Sequence, residues 1–166
     1  MKILIIGEQG SGKTTLRSML AEMFPEMAHF STSDFIISLM SDQTLDTIDH
    51  IRRHKEQFRP EMVNIGNKLC DAYAGVLVSA CLFAAKTMGR EVTLDGVRRI
   101  NEFEAVADNF DLILYIEREG NEPSKEDNFE LQGYKTDSRV TIVENNGEPK
   151  DMLWSVINAI KDTGQV

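Results

Sequence analysis

The sequence predicts an α/β protein: a parallel five-stranded sheet with helices on both faces. Three observations carry this expectation. Short, nearly unbroken apolar runs recur along the chain, clearest at residues 2–6 and 112–116, and such runs suit strands buried on both faces. Between them lie longer stretches with apolar residues at helical spacing, such as Leu16, Met19, Leu20 and Met23, and strands alternating with helices build a parallel sheet. Finally, the junction Gly7-Glu8-Gln9-Gly10-Ser11-Gly12-Lys13-Thr14 matches G-x-x-x-x-G-K-[ST] at every fixed position, with a strand pattern before it and a helix pattern after it.

Taken in order, residues 2–6 form the first strand and 15–24 the first helix. A short second strand covers 27–32. Ser33-Asp34 starts a helix through Phe35, Ile36, Leu39 and Met40, since both residue types favour helix starts. Residues 41–44 are a polar break, and Leu45, Ile48 and Ile51 mark a shorter helix carrying Arg52, Arg53, Lys55 and Arg59, with His50 and His54 among them. Pro60 suits the first turn of a helix, which runs through Met62, Ile65, Leu69, Tyr73, Val76, Leu77, Leu82 and Phe83 to about residue 88, where Gly89 ends it. The third strand is 91–95, a helix follows over 99–107, and the fourth strand is 112–116. Residues 118–137 are polar, with Gly120, Pro123 and Gly133, and a stretch of that length without regular structure reads as a lid. The fifth strand is 140–143 and a helix over 148–161 closes the chain. The whole is one domain, residues 1–166, with an acceptor-binding helical region at 33–88.

The chemistry of the glycine-rich junction follows from its backbone. Glycines let successive N–H groups face one polyphosphate, and the next helix turns its positive end to the same anion. Gly7, Gln9, Gly10, Ser11, Gly12, Lys13, Thr14 and Thr15 are therefore the nucleotide-phosphate candidates, with Lys13 reaching the β- and γ-phosphates and Thr14 a ligand for Mg²⁺. The bland alternative is a glycine-rich turn without a ligand. In parallel sheets, ligands sit at the carboxyl ends of the strands, so residues 8–14, Asp34, 95–99 and Arg118 should converge on one cleft. Asp95 ends a strand, where it either serves Mg²⁺ or caps the next turn. Of Arg98 and Arg99, one is expected to bind phosphate and the other to pair with a surface acid such as Glu102 or Glu104. Asp34 either caps its helix or positions an acceptor. The basic cluster around Arg52 to Arg59 is either a solvated helix face or partly a phosphate site.

Composition bounds these readings. The 166 residues carry a formal net charge of −9, which argues against a broad nucleic-acid surface. No apolar run is long enough to span a membrane, and no cleavable signal pattern precedes the first strand, so the sequence reads as cytoplasmic. Cys70 and Cys81 fall on one expected helix about 16 Å apart along its axis, too far to pair, and both read as reduced core residues.

The four segments 7–14, 30–36, Arg59-Pro60 through Gly66-Asn67, and Asp95-Gly96-Val97-Arg98 with Asn101-Glu102 resemble the nucleoside and deoxynucleoside monophosphate kinases of the P-loop NTPase fold, close to the bacteriophage type. The chain is also similar to dephospho-coenzyme A kinases and archaeal adenylate-kinase-like proteins. The resemblance implies that Lys13 and the loop hold ATP and that Thr14 and Asp95 serve Mg²⁺. It implies that Asp34, Arg59, Asp95, Arg98 and Glu102 face a nucleotide acceptor, with Lys13, Asp34 and Arg98 catalytic. Arg118 and Asn145, or its neighbour Asn146, are placed beside the ATP, since residues 142–146 stand where such kinases carry the adenine-contacting loop. Two features depart from the pattern. Val63 stands where the phage type often has glutamine. Between Arg118 and Arg139 the only cations are Lys125 and Lys135, where these kinases carry lid arginines. A relative acting on another hydroxyl or phosphate, and a nucleotide-binding switch, are the competing readings; the Asn-Lys-x-Asp element of GTPase switches is absent. The sequence allows a homodimer without specifying one.

Overall fold

The computed structural model describes residues 1–43, 46–122 and 129–164. Strands β1 (Lys2–Ile6), β2 (Ala28–Ser31), β3 (Val92–Asp95), β4 (Leu112–Glu117) and β5 (Val140–Glu144) form one sheet in the order β2-β3-β1-β4-β5. Every pairing is parallel. The period-two alternation of β1 explains the two covered faces. Leu4 and Ile6 join Leu94, Ile113 and Tyr115 on one face, while Ile3 and Ile5 join Leu112, Leu114 and Ile116 on the other.

Helices α1 (Lys13–Met23) and α7 (Pro149–Asp162) cover the second face through Leu16, Leu20, Met152, Val156 and Ile160. The first face is covered by α5 (Val76–Thr87) and α6 (Ile100–Val106), with Val78, Cys81, Phe103 and Val106 inward. Burial of each such side chain contributes roughly 1.5–3 kcal/mol. A third cluster lies off the sheet, where α2 (Thr32–Gln43), α3 (Ile48–Arg53) and α4 (Lys55–Ala72) enclose Ile36, Ile37, Met40, Ile51 and Met62.

The expected single helix over 60–88 is two helices, α4 and α5, bent by 86°. The bend is at Gly75, whose φ of +80° and whose approach to Val106 leave no space for a side chain: a Cβ there would lie 2.5 Å from Val106 Cγ1. The apolar residues of this stretch serve different partners. Met62 packs with the helical cluster and Val78 with the sheet, which one straight rod cannot do. Tyr73 and Phe83, expected to be covered, are 65% and 72% exposed. Pro60 lies inside α4 rather than in its first turn, because the helix begins five residues earlier, straight after His54, the C-cap of α3. Cys70 and Cys81 fall on different helices and are both free and buried. Helix α2 starts at Thr32 and runs through the expected break to Gln43; Leu45 lies outside the described residues.

The expectation that 118–137 is a polar stretch without regular structure is corrected in its second half. Leu131–Thr136 is a 3-10 helix, and Phe129 and Leu131 are buried in the core against β4 and α6. Pro123 and Lys125 lie outside the described residues. Among the described residues no single helix is long and apolar enough to cross a membrane.

Gly75→Ala is expected to lower the unfolding free energy, measured by urea denaturation, by at least the roughly 1–2 kcal/mol that a left-handed backbone costs a side-chain-bearing residue, because the Val106 contact adds to it. An unchanged midpoint would show that the α4–α5 corner repacks without strain.

Candidate functional site

The strand order reverses around β1, with β3 on one side and β4 on the other, and the loops after β1, β2 and β3 meet above their carboxyl ends. The 7–14 loop curls there around left-handed glycines, Gly10 at φ +80° and Gly12 at φ +107°. Gly12 is the N-cap of α1 and supplies no side-chain cap, so the first N–H groups of α1 are left to a ligand. Two asparagines steady the loop from outside. Asn121 Nδ2 donates to Gln9 O at 2.7 Å, and Asn145 Nδ2 donates to Ser11 O at 2.8 Å. Both approach so closely that a Cβ on Gly10 or Gly12 would collide with them, at 2.6 and 2.3 Å. Ser11 is buried and, among the described residues, its hydroxyl has no hydrogen-bond partner.

Lys13 folds over its own loop, donating to Gly7 O at 2.6 Å and Glu8 O at 2.5 Å. Burial, reinforced by the nearby Arg98 guanidinium, pulls its pKa down to about 8. An ammonium in this state is held mainly by neutral carbonyls, and an arriving polyphosphate offers it a stronger partner.

Two cavities open from the loop. One, of about 740 Å³, is lined by Thr15, Arg118, Asn145 and Asn146 on the α7 side. The other, of about 640 Å³, lies between the loop and the helices α2 to α4, and holds Asp34, Arg59, Asp95, Arg98 and Glu102. Gly10, Lys13 and Thr14 line both. The residues expected beside ATP and those expected beside the acceptor thus fall into separate spaces that meet at the lysine. Gln9 alone of the loop candidates lines the second cavity and not the first. Gly7 lines neither; it packs against Ile116 O, which a Cβ would meet at 2.5 Å.

In the second cavity, Asp95 is 4% exposed at the end of β3, with Arg17 Nε 3.5 Å from its carboxylate. The next residue, Gly96, has φ +107° and lies so close to Thr32 that a Cβ would meet its hydroxyl at 2.1 Å. This turn sends Val97 into the core and leaves Arg98 at the cavity. Burial and the Arg59 guanidinium hold the Arg98 pKa below its ordinary value. Asp34 does not cap α2, which starts two residues earlier; its carboxylate lies 3.3 Å from Arg17 and 3.4 Å from Arg52. Arg59 holds Glu56 through two hydrogen bonds of 2.8 and 2.6 Å, so an acceptor anion would compete with that carboxylate.

The division of labour between the two arginines after β3 differs from expectation in the partner. Arg99 pairs with Asp71 at 2.7 Å, while Glu102 is buried and accepts the backbone N–H of Arg98 at 3.2 Å. Burial pushes the Glu102 carboxyl up from its usual range. Glu102 lines the cavity wall and braces the turn that aims Arg98. The basic cluster also divides: Arg52, Lys55 and Arg59 line the cavity, while Arg53 is exposed and donates to Asp49 O in its own helix. Sequence reasoning missed Arg17 and Asn121, and named Lys55 only as one member of the basic cluster. Arg17 stands four residues after Lys13, on the same helix face, a signal that was legible. Asn121, in a polar stretch, carried none.

A comparison with protein-family models finds no match, and a comparison with curated protein sequences finds none either. Among solved structures, the chain is similar to shikimate kinase from Aquifex aeolicus, with a TM-score of 0.61 and 13% identity over 99% of both chains. It is also similar to thymidylate kinase from Ehrlichia chaffeensis, with a TM-score of 0.50 and 16% identity over 96% of this chain and 98% of that one. The chain has the P-loop kinase fold. At such identities the likeness speaks for the fold, and function rests on the residues at the cavities.

The affinity for ADP, measured by calorimetry without metal, should hold steady below pH 8 and fall as pH rises above it, because the free protein's Lys13 then loses the proton that binding requires. Lys13→Met should flatten that profile. The same lowered pKa makes folding stability rise between pH 8 and 10.5, since there the unfolded lysine keeps a proton that the folded one has released.

Proposed function

We propose that this protein is an ATP- and Mg²⁺-dependent kinase that transfers the γ-phosphoryl group to a nucleoside or deoxynucleoside monophosphate, giving the diphosphate. The observation that carries this reading is the pair of cavities meeting at Gly10, Lys13 and Thr14. One offers loop and helix N–H groups to a polyphosphate. The other offers half-buried guanidinium groups to a second anion. A nucleotide-binding switch needs only the first.

The division of roles follows from these positions. The loop N–H groups bind the donor phosphates, with Arg118 and Asn145 beside them in the larger cavity. Thr14 and Asp95 are hard oxygen donors lining one cavity, a donor set that fits Mg²⁺, which takes one or two protein ligands and completes its shell with water and phosphate. Among the described residues no cluster of three or more metal-binding side chains exists, in keeping with a metal that arrives with its nucleotide. Bound there, Mg²⁺ would neutralise charge developing on the phosphates. Arg98 and Arg59 orient the acceptor's phosphate, and Asp34 fixes Arg17 and Arg52 at its rim. Positioning of this kind outweighs proton abstraction, since phosphoryl transfer needs little base catalysis. Within the lid expected at 118–137, residues 118–120 line the donor cavity and Asn121 holds the loop.

The second reading is a related kinase of a different hydroxyl or phosphate compound. The hold of Glu56 on Arg59 favours it, because that guanidinium is already matched to a carboxylate.

The test is a panel of nucleoside monophosphates and dephospho-coenzyme A, each incubated with ATP and Mg²⁺ and resolved by chromatography. Transfer to a nucleoside monophosphate is expected; transfer to none of them removes this function. With the best acceptor, Arg98→Lys should raise the acceptor KM and lower kcat, while ATP affinity changes less than about threefold, because lysine cannot reproduce the paired hydrogen bonds of a guanidinium. Asp95→Asn should raise the Mg²⁺ concentration needed for half-maximal activity and leave metal-free ADP binding unchanged. An unaltered metal requirement would leave Asp95 as a partner of Arg17 only.

A further inference from the structure

Phosphoryl transfer spreads negative charge over three equatorial oxygens of the moving group, and something cationic must meet those oxygens from the acceptor side. The cations of the 118–139 segment that the structure describes are committed elsewhere. Arg118 lines the donor cavity. Lys135 pairs with Glu117 beneath the Tyr115 ring. Arg139 is held by Asp137 at 2.8 Å and Glu104 at 3.2 Å, and lies over Phe103. It is a structural residue of the surface.

On the opposite wall stands Lys55, the first residue of α4. It lines the same cavity as Lys13, Arg17, Asp34, Asp95 and Arg98. Its ammonium donates to Ser33 Oγ at 3.0 Å, and Ser33 Oγ lies 2.9 Å from Ser31 Oγ at the end of β2. Among the described residues it makes no ion pair, in contrast to Arg17, Arg52, Arg59 and Arg99, each of which has a carboxylate partner. Its surroundings are cationic as well as anionic: burial, followed by the pull of Asp34 and Asp95 against the push of Arg59 and Arg98, leaves its pKa below the ordinary lysine value. Its charge also reaches Lys13 across the cavity. A partly buried ammonium with one neutral hydroxyl as partner is costly, and an anion placed between Lys13 and Lys55 relieves both.

We propose that Lys55 is a catalytic residue of the phosphoryl transfer, contacting the γ-phosphoryl oxygens from the acceptor side while Lys13 contacts them from the loop. This rests on the kinase reading given above. In the step itself, the bond between the γ-phosphorus and the β–γ bridging oxygen breaks, and ADP leaves with the electron pair. A bond forms from an oxygen of the acceptor's phosphate dianion. No proton is released, and Lys55 remains an ammonium throughout, donating its hydrogen bonds to the equatorial oxygens. The charge that a lid would bring in on closure is here built into the first turn of a helix, tethered to the end of β2 through Ser33.

The experiment compares wild type, Lys55→Met and Lys55→Arg in the full chain, with ATP, Mg²⁺ and the best acceptor from the panel. Thermal unfolding confirms that each variant folds. Lys55→Met should lower kcat about 100-fold or more, the usual effect of removing one transition-state donor, with ATP affinity within about threefold. Lys55→Arg should recover at least a tenth of the wild-type kcat. In calorimetry, Lys55→Met should weaken binding of diadenosine pentaphosphate, a probe that joins two adenosines through one phosphate chain, by tenfold or more and leave ADP binding unchanged. A folded Lys55→Met variant with wild-type kcat, or one that raises only the acceptor KM, overturns the proposal. Absence of transfer by the wild type itself overturns the kinase reading instead; unchanged pentaphosphate binding by Lys55→Met then also removes Lys55 from the polyphosphate path.

Discussion

The close approach of backbone and side chain at three glycines is the constraint on which the site depends. Gly7 packs on the carbonyl of Ile116, Gly10 on Asn121 and Gly12 on Asn145. A Cβ at any of them would sit within 2.6 Å of its neighbour. Their absence lets the loop lie against the ends of β4 and β5 while its N–H groups face outward. The two asparagines then hold the Gln9 and Ser11 carbonyls by hydrogen bonds. The loop is thus preorganised by protein contacts before any anion arrives. Gly96 repeats the device at the end of β3, where Thr32 crowds it.

Electrostatics follows from that geometry. The chain is acidic overall, with a net charge of −9, yet the cavity beside the loop gathers Lys13, Arg17, Lys55, Arg59 and Arg98. Three of these, Lys13, Lys55 and Arg98, are held with depressed pKa values by burial. Such charges are uncomfortable in the free protein and become favourable when anions fill the space between them. The carboxylates present have separate tasks. Asp34 orients Arg17 and Arg52, Glu102 braces the Arg98 turn, and Glu56 occupies Arg59. The excess of positive charge in one cavity, within a chain of the opposite net sign, distinguishes this cluster from a solvated helix face.

The helical region gives the second cavity its walls. The 86° bend between α4 and α5 lets one stretch of chain serve two clusters. Through α5 it covers the sheet, and through α4 it closes over α2 and presents Lys55 and Arg59. Phe129 and Leu131 anchor the second half of the 118–137 segment in the core, and Asn121 in its first part holds the loop.

The sequence by itself determined the alternation of strands and helices, the parallel sheet and the phosphate loop. Each depends on local signals: apolar periodicity, and glycines whose spacing is dictated by one anion. It also placed Asp34, Asp95 and Arg98 at strand ends, and those positions converge because strand ends in a parallel sheet share one edge. Tertiary structure alone decided the rest. Periodicity cannot register a bend that leaves both halves helical, so α4 and α5 read as one helix until Gly75 met Val106. Nor can it tell which of two adjacent arginines finds a surface acid, because Asp71, the partner of Arg99, is 28 residues away in sequence. Lys55 looked like one charge among several on a helix face; only the packing of α4 against α2 brought it to Ser33 and made it a wall of the cavity.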